Sequence, residues 1–366
     1  MFALCLCFQI YLSQLEDTFT HCKKNIQASL ILFHSFIHTF ALNKPPENTT
    51  MAKYKKYGYD IQDGKSIIPE WETEIKDKAF EYCKELTSVE LHQWIKKIGG
   101  YAFDGCSSLT SISIPPSVTE IGEFAFSACK NLTEITLPEW VEEIGESAFL
   151  RCENLKSITL PRWVKKIGDG TFSWCFSLTS IAIPPSVTEI GSSAFSGCTS
   201  LTSITIPESV TKIGRHAFNG CSSLTSIVIP PSVTEIGSAT FYGCSSLTSI
   251  VIPPSVAEIG WATFSGCSSL TSIAIPPSVT EIGEGAFWYC SNLKSISIPS
   301  SVTEIGYNAF RGCSSLTSIS IPPSVTEIGE KAFFGCTSLT EVRIPKGCNV
   351  HKDAFEDCPK VQIIRY

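Results

Sequence analysis

Thirteen of the seventeen cysteines share one register, 23 residues apart: Cys83, Cys106, Cys129, Cys152, Cys175, Cys198, Cys221, Cys244, Cys267, Cys290, Cys313 and Cys336, with Cys358 one residue early. So many thiols invite disulfide or metal chemistry, and the spacing favours neither. Stacked coils place equivalent Cα atoms about 4.8 Å apart with parallel Cβ vectors, so the Cβ atoms stay outside the usual disulfide range of roughly 3.5–4.5 Å. A straight row of thiols also cannot surround a metal, whose ligands converge from several directions. The ladder is expected to be reduced and buried, each thiol acting as a small hydrophobe. Cys348 lies off the ladder at a core valine position and is expected to be buried as well.

A second row, Glu235, Glu258, Glu281, Glu304 and Glu327, follows Glu120, Glu143 and Glu189 and is interrupted by Lys166 and Lys212. One carboxylate per repeat is thin coordination for a hard cation, so the row reads as a solvated face and no metal is assigned. Hydroxyls form a third array, including Thr202, Thr205, Thr225, Thr248 and Thr271. Such rows match a repetitive ligand such as ice, mineral or polysaccharide, and equally suit a half-exposed strand. His92, His216 and His351 are far apart along the chain, so no nucleophile and base can be assembled from them. No catalytic residue and no cofactor are assigned.

Aromatic residues that break the pattern carry the main binding candidates: Trp174, Tyr242, Trp261, Trp288, Tyr289, Tyr307 and Phe334 replace residues that are elsewhere mostly Ser, Gly or Asn. On a surface made of hydroxyls, exposed Trp and Tyr mark partner contacts, because these side chains dominate interface energetics. The alternative is that they fill grooves left by glycine. Trp71, Trp94, Trp140 and Trp163 occupy one corner position and are expected to form a structural stack.

These residues must be held by elements of one repeated shape. Phenylalanine recurs every 23 residues from Phe80 to Phe333, and a fixed period in the twenties implies stacked units that bury their apolar sides on one another. Phe218 to Thr240 is representative. Phe218, Cys221 and Leu224 are spaced by three, as in a helical or 3-10 turn, whereas Ile227 and Ile229 are spaced by two, as in a strand. Pro230 lacks an amide donor and ends the strand. Val233 and Ile236 return along a short extended segment, and Gly237 is expected to supply a positive φ for the next turn.

Leu224, Ile227 and Ile229 form the LxxIxI strand of a leucine-rich repeat, and the continuation IPxxVxxIGxxAFxxC resembles the BspA-type leucine-rich repeat over roughly residues 66–366. The resemblance implies a right-handed solenoid of about 13 repeats, each with a parallel strand, a short return strand and a turn. It also implies non-enzymatic adhesion or recognition of proteins at a cell surface or after secretion. The asparagine that usually follows the strand is missing, which removes the usual ladder and puts sharp curvature in doubt.

The organisation follows from these patterns. Residues 1–50 are a non-repeat extension, with apolar stretches at Phe2 to Leu12 and Ala28 to Leu42 too short to span a bilayer; they read as non-structural or as a weak signal or anchor. Residues 51–65 lead into the repeats, residues 66–366 form the solenoid and 346–366 its C-terminal cap. The net charge of −7 shows no footprint for nucleic acid. The expected partner is a protein or a surface glycan, bound by a monomer.

Overall fold

The structure is a computed structural model and describes residues 59–366. The expectations for residues 1–50 lie outside it. Within the described residues the repeats form a stack of coils, each running once around three sides. A long strand such as Ser226–Val228 makes one side, and a two-residue strand such as Glu235–Ile236 makes the second. Both pair in parallel with the strands 23 residues away, as in Ser226↔Ser249, Ile227↔Ile250 and Val228↔Val251, and Lys212↔Glu235 with Ile213↔Ile236. Period-two alternation sends Ile227 inward and leaves Ser226 and Val228 exposed. At the corner Val233 N–H donates to Pro230 O at 3.0 Å, closing the turn that Pro230 starts.

The third side corrects the expected helical or 3-10 turn: the described residues contain no helix. His216, Phe218 and Gly220 donate their N–H groups along the stack to Ser238, Thr240 and Tyr242 carbonyls, at 3.0, 2.9 and 2.7 Å. Between them Ala217, Asn219 and Cys221 donate back three residues, to Gly214, His216 and Phe218. Positive φ at His216 (56°) and Gly220 (70°) turns alternate amides toward the neighbouring coil. A helix would have satisfied those amides internally. Spacing of three fits both geometries, so periodicity alone could not separate them.

Gly237 also differs from expectation, since its φ is not positive. A Cβ there would lie 2.4 Å from Arg215 N, so glycine is needed for close approach of consecutive coils. Inside, the phenylalanines form a continuous offset stack: Phe218 is fully buried, 5.5 Å from Phe195 and 5.7 Å from Phe241, with interplanar angles of 4° and 3°. Tyr59 covers Phe80 at one end and Phe355 covers Phe333 at the other, each at 5.1 Å.

An antiparallel hairpin, Ile61–Gln62 with Lys65–Ile67, closes the first edge through Asp63 and Gly64, both at positive φ as a type I′ turn requires. At the other end, strand Gln362–Arg365 ends the stack and leaves Ile363 and Ile364 exposed.

The two-residue ladder is interrupted twice. All the remaining rungs carry bonds of the type Glu142 N to Thr119 O and Gly145 N to Ile121 O, but none joins Glu143–Ile144 to Lys166–Ile167, or Glu235–Ile236 to the segment at Ile259, which makes only an isolated bridge to Ile282. Each interruption is followed by a threonine in a slot that holds alanine in ten coils: Thr171 and Thr263 are buried and donate to Gly168 O and Gly260 O at 2.9 Å. At both gaps the slot thus holds a side chain larger than alanine. Thr240 fills the same slot without opening a gap, and its hydroxyl also reaches Gly214 O, tying the two coils together.

Candidate functional site

The turn side presents the candidate aromatics in three columns, set by their offset from the repeat phenylalanine. Two residues after it, every coil has positive φ, and seven of the twelve from Phe80 to Phe333 place glycine there. Trp174 and Tyr289 occupy this position at φ 62° and 55°, exposed by 45% and 54%. A non-glycine residue in this conformation costs about 1–2 kcal/mol. Each ring lies over the glycine of the next coil: a Cβ on Gly312 would meet Tyr289 Cδ1 at 2.5 Å, and one on Gly197 would meet Trp174 at 3.5 Å. Tyr82 repeats the arrangement over Gly105 at φ 58°, a residue the sequence argument missed. The signal was present as an aromatic in a glycine column.

One residue after the phenylalanine stand Tyr242, Trp288 and Phe334. Tyr242 is exposed, whereas Trp288 and Phe334 are half-buried around Arg311, whose guanidinium lies 4.5 Å from the Phe334 ring and 6.0 Å from Trp288. Trp288 also stacks on Tyr289 at 5.5 Å. Trp261 and Tyr307 stand three residues before, both exposed; Trp261 meets His216 edge-on at 6.3 Å across the small residues of the coil between. The seven candidates therefore do not form one group: they divide among a C-terminal cluster around Arg311, a Trp261–His216 pair, the exposed Tyr242 and Tyr307, and Trp174 beside Arg151 and Phe176.

The other arrays are placed as follows. Thr202, Thr225 and Thr248 are exposed, but their hydroxyls donate to Thr179, Thr202 and Thr225 carbonyls at 3.4, 3.4 and 3.2 Å. These contacts are long for a hydroxyl donor and leave each oxygen free to accept. Thr205 and Thr271 are exposed on the same side. In the glutamate row, Lys97, Lys166 and Lys212 pair with Glu120, Glu189 and Glu235. His92 and His216 are engaged locally, with Pro69 O and Asn219, and His351 lies several coils away. Among the described residues no group of three or more His, Cys, Asp or Glu side chains is placed to hold a metal ion.

The cysteines acquire a role that spacing did not suggest. From Cys106 to Cys358 each ladder thiol donates to the carbonyl of the phenylalanine one coil back, at 3.0–3.2 Å. Burial pushes the thiols from Cys106 to Cys313 up, Cys244 to about 12, whereas contact with the Cys336 thiol at the end of the ladder lowers Cys358.

The sequence profile of the BspA type leucine-rich repeat region matches residues 73–199, 165–294 and 234–362. The chain belongs to the BspA-type leucine-rich repeat family. A leucine-rich repeat protein from Bacteroides ovatus is 38% identical, with 82% of this chain and 83% of that one covered and a TM-score of 0.69. A leucine rich cell surface protein from Faecalibacterium prausnitzii is 31% identical over 88% of this chain and 96% of that one, with a TM-score of 0.58. A leucine-rich repeat protein from Eubacterium ventriosum, 24% identical over 75% and 90% at a TM-score of 0.51, shares the fold. No curated protein matches the sequence. Membership in a BspA-type family makes the chain a repeat scaffold, and no helix among the described residues is long and apolar enough to cross a membrane.

Proposed function

We propose that this BspA-type solenoid is a non-enzymatic recognition scaffold that binds a protein partner through the aromatic side chains of its turn side. The observation that carries this reading is the retention of Trp174 and Tyr289 in a left-handed conformation that most coils give to glycine. Strain kept at an exposed aromatic signals a use other than folding. Exposed Val228 and Val251 break the hydroxyl column on the long strands and weigh against a repetitive hydroxyl-matching surface there. Likeness to a leucine rich cell surface protein supports work at a cell surface, as in adhesion.

The test replaces Trp174 and Tyr289 by Gly. Relief of strain should raise unfolding stability by about 1 kcal/mol per site, while proteins captured from cell-surface extracts by the parent are lost. Thr248→Lys with Thr271→Lys should keep them. The opposite pattern would move the site to the strand side.

A further inference from the structure

The four corner tryptophans do not form the structural stack their spacing suggested. Trp71, Trp94, Trp140 and Trp163 are exposed by 64, 51, 58 and 46%, and no ring stacks on another. They stand in four of five consecutive coils, a row roughly 20 Å long at about 4.8 Å per coil. Its end borders the first interruption of the two-residue ladder. There an open cleft of about 870 Å³ is lined by Trp163, Glu123, Glu142, Glu146 and Lys165, within the volume range of ligand sites.

We propose that this corner and cleft bind an uncharged oligosaccharide bearing N-acetyl groups. The apolar C–H face of a sugar ring packs on the electron-rich face of an indole, and a row of indoles at coil spacing suits a linear chain of such rings. The cleft also presents the donors and acceptors of an unmade strand pairing, a match for a peptide-like group. Lys165 N and Gly168 N lack the acceptors that their equivalents find in neighbouring rungs, and Glu142 O and Ile144 O lack the matching donors. An acetamido group carries the C=O and N–H of a peptide unit and can answer both. The gap is real at backbone level, since a Cβ on Gly168 would lie 3.5 Å from Glu146 Cα, against 2.3 Å from Glu123 N for Gly145.

Charge narrows the ligand further. Glu123, Glu142, Glu143 and Glu146 form no ion pairs and outnumber Lys165, so sulfated or carboxylated glycans are repelled. The same glutamates attract a basic peptide, which is therefore the competing occupant, but it gains nothing at the Trp163 indole. The cation position over Trp163 is already held by Arg162, 5.9 Å from the ring and paired with Glu139.

The experiment titrates the full chain with a β-1,4-linked N-acetylglucosamine hexasaccharide, following tryptophan fluorescence and heat. Comparators are the glucose hexasaccharide, a sulfated hexasaccharide and a lysine-rich peptide. Saturable binding of the N-acetylated probe is expected, about tenfold tighter than the glucose chain and absent for the sulfated one. Trp140→Ala with Trp163→Ala should weaken it at least about tenfold, without unfolding, because both rings are exposed. Thr171→Ala restores the residue most coils carry and should close the cleft, erasing the preference over glucose. No saturation by the N-acetylated probe, indifference to the tryptophan changes, or tighter binding of the peptide or the sulfated chain would each overturn the proposal.

Discussion

The thiol of Cys221 donates to the carbonyl of Phe195 in the preceding coil, 3.2 Å away, while the N–H of Cys198 donates to that same carbonyl at 3.1 Å. Each phenylalanine carbonyl thus serves two donors, one from its own coil and one from the next. The cysteine ladder joins coils at a point where the phenylalanine rings already stack. Cysteine suits this slot because it supplies a weak donor in a volume little larger than alanine's.

Thiol titration should therefore find the ladder cysteines free in denaturant and those from Cys106 to Cys313 almost unreactive in the native protein, because burial raises these thiols and disfavours the thiolate. Regular pairing of adjacent rungs, such as Cys221 with Cys244, detected by mass spectrometry after native alkylation, would contradict the geometry. Cys221→Ala removes the donor and leaves Phe195 O with its amide partner. Its cost should be about 1–2 kcal/mol in urea unfolding.

Phe218→Ala is expected to cost more, about 3–5 kcal/mol, because the ring is fully buried between two others. Hydrogen exchange should show the damage concentrated in the coils of Phe195 and Phe241, since in a linear stack each coil contacts its neighbours. An unfolding curve identical to the parent's would refute the register.

The register was legible in the sequence because one buried side chain per coil leaves a fixed period, and Ile227 with Ile229 announced the strand. The third side was not legible: the spacing of Phe218, Cys221 and Leu224 is common to a helix and to a turn with alternating left-handed residues. The aromatic candidates were found as breaks in a column. Their division into separate groups depends on which neighbours are small, as Trp261 shows by crossing a whole coil to reach His216. The interruptions of the ladder were not legible: Thr171 and Thr263 stand in an alanine column, but Thr240 stands there too without opening a gap, and only its second hydroxyl contact, with Gly214 O, sets it apart.

Asp104 should make the N-terminal coils sensitive to pH. It is 7% exposed, and burial raises its carboxyl above the usual range, with Glu81 adding repulsion and the Ser127 hydroxyl opposing it. A carboxyl raised in the folded state stabilises the fold most at low pH, and that contribution is lost as pH rises through the folded value. Asp104→Asn should therefore melt higher than the parent at pH 7. The gap should narrow on acidification and vanish below about pH 4, the unfolded value. A constant difference across that range would mean that the carboxyl's charge is not the cause.

The glycines offer the sharpest test of the interruption beside Trp163. A Cβ at Gly145 would lie 2.3 Å from Glu123 N and 2.4 Å from Gly122 C, both backbone atoms of a laddered coil that cannot give way cheaply. At Gly168 the nearest atom is Thr171 Oγ1 at 3.2 Å, and the nearest backbone atom is 3.5 Å off. The same substitution should thus have opposite consequences one coil apart. Gly145→Ala should cost about 2 kcal/mol or more through strain, whereas Gly168→Ala should be within about 0.5 kcal/mol of neutral. If both cost the same, the strands at Ile144 and Ile167 are as close as any other pair and the cleft between them does not exist in solution. Repeating Gly168→Ala on the Thr171→Ala background sharpens the reading, because closing the gap should convert the tolerated alanine into a costly one.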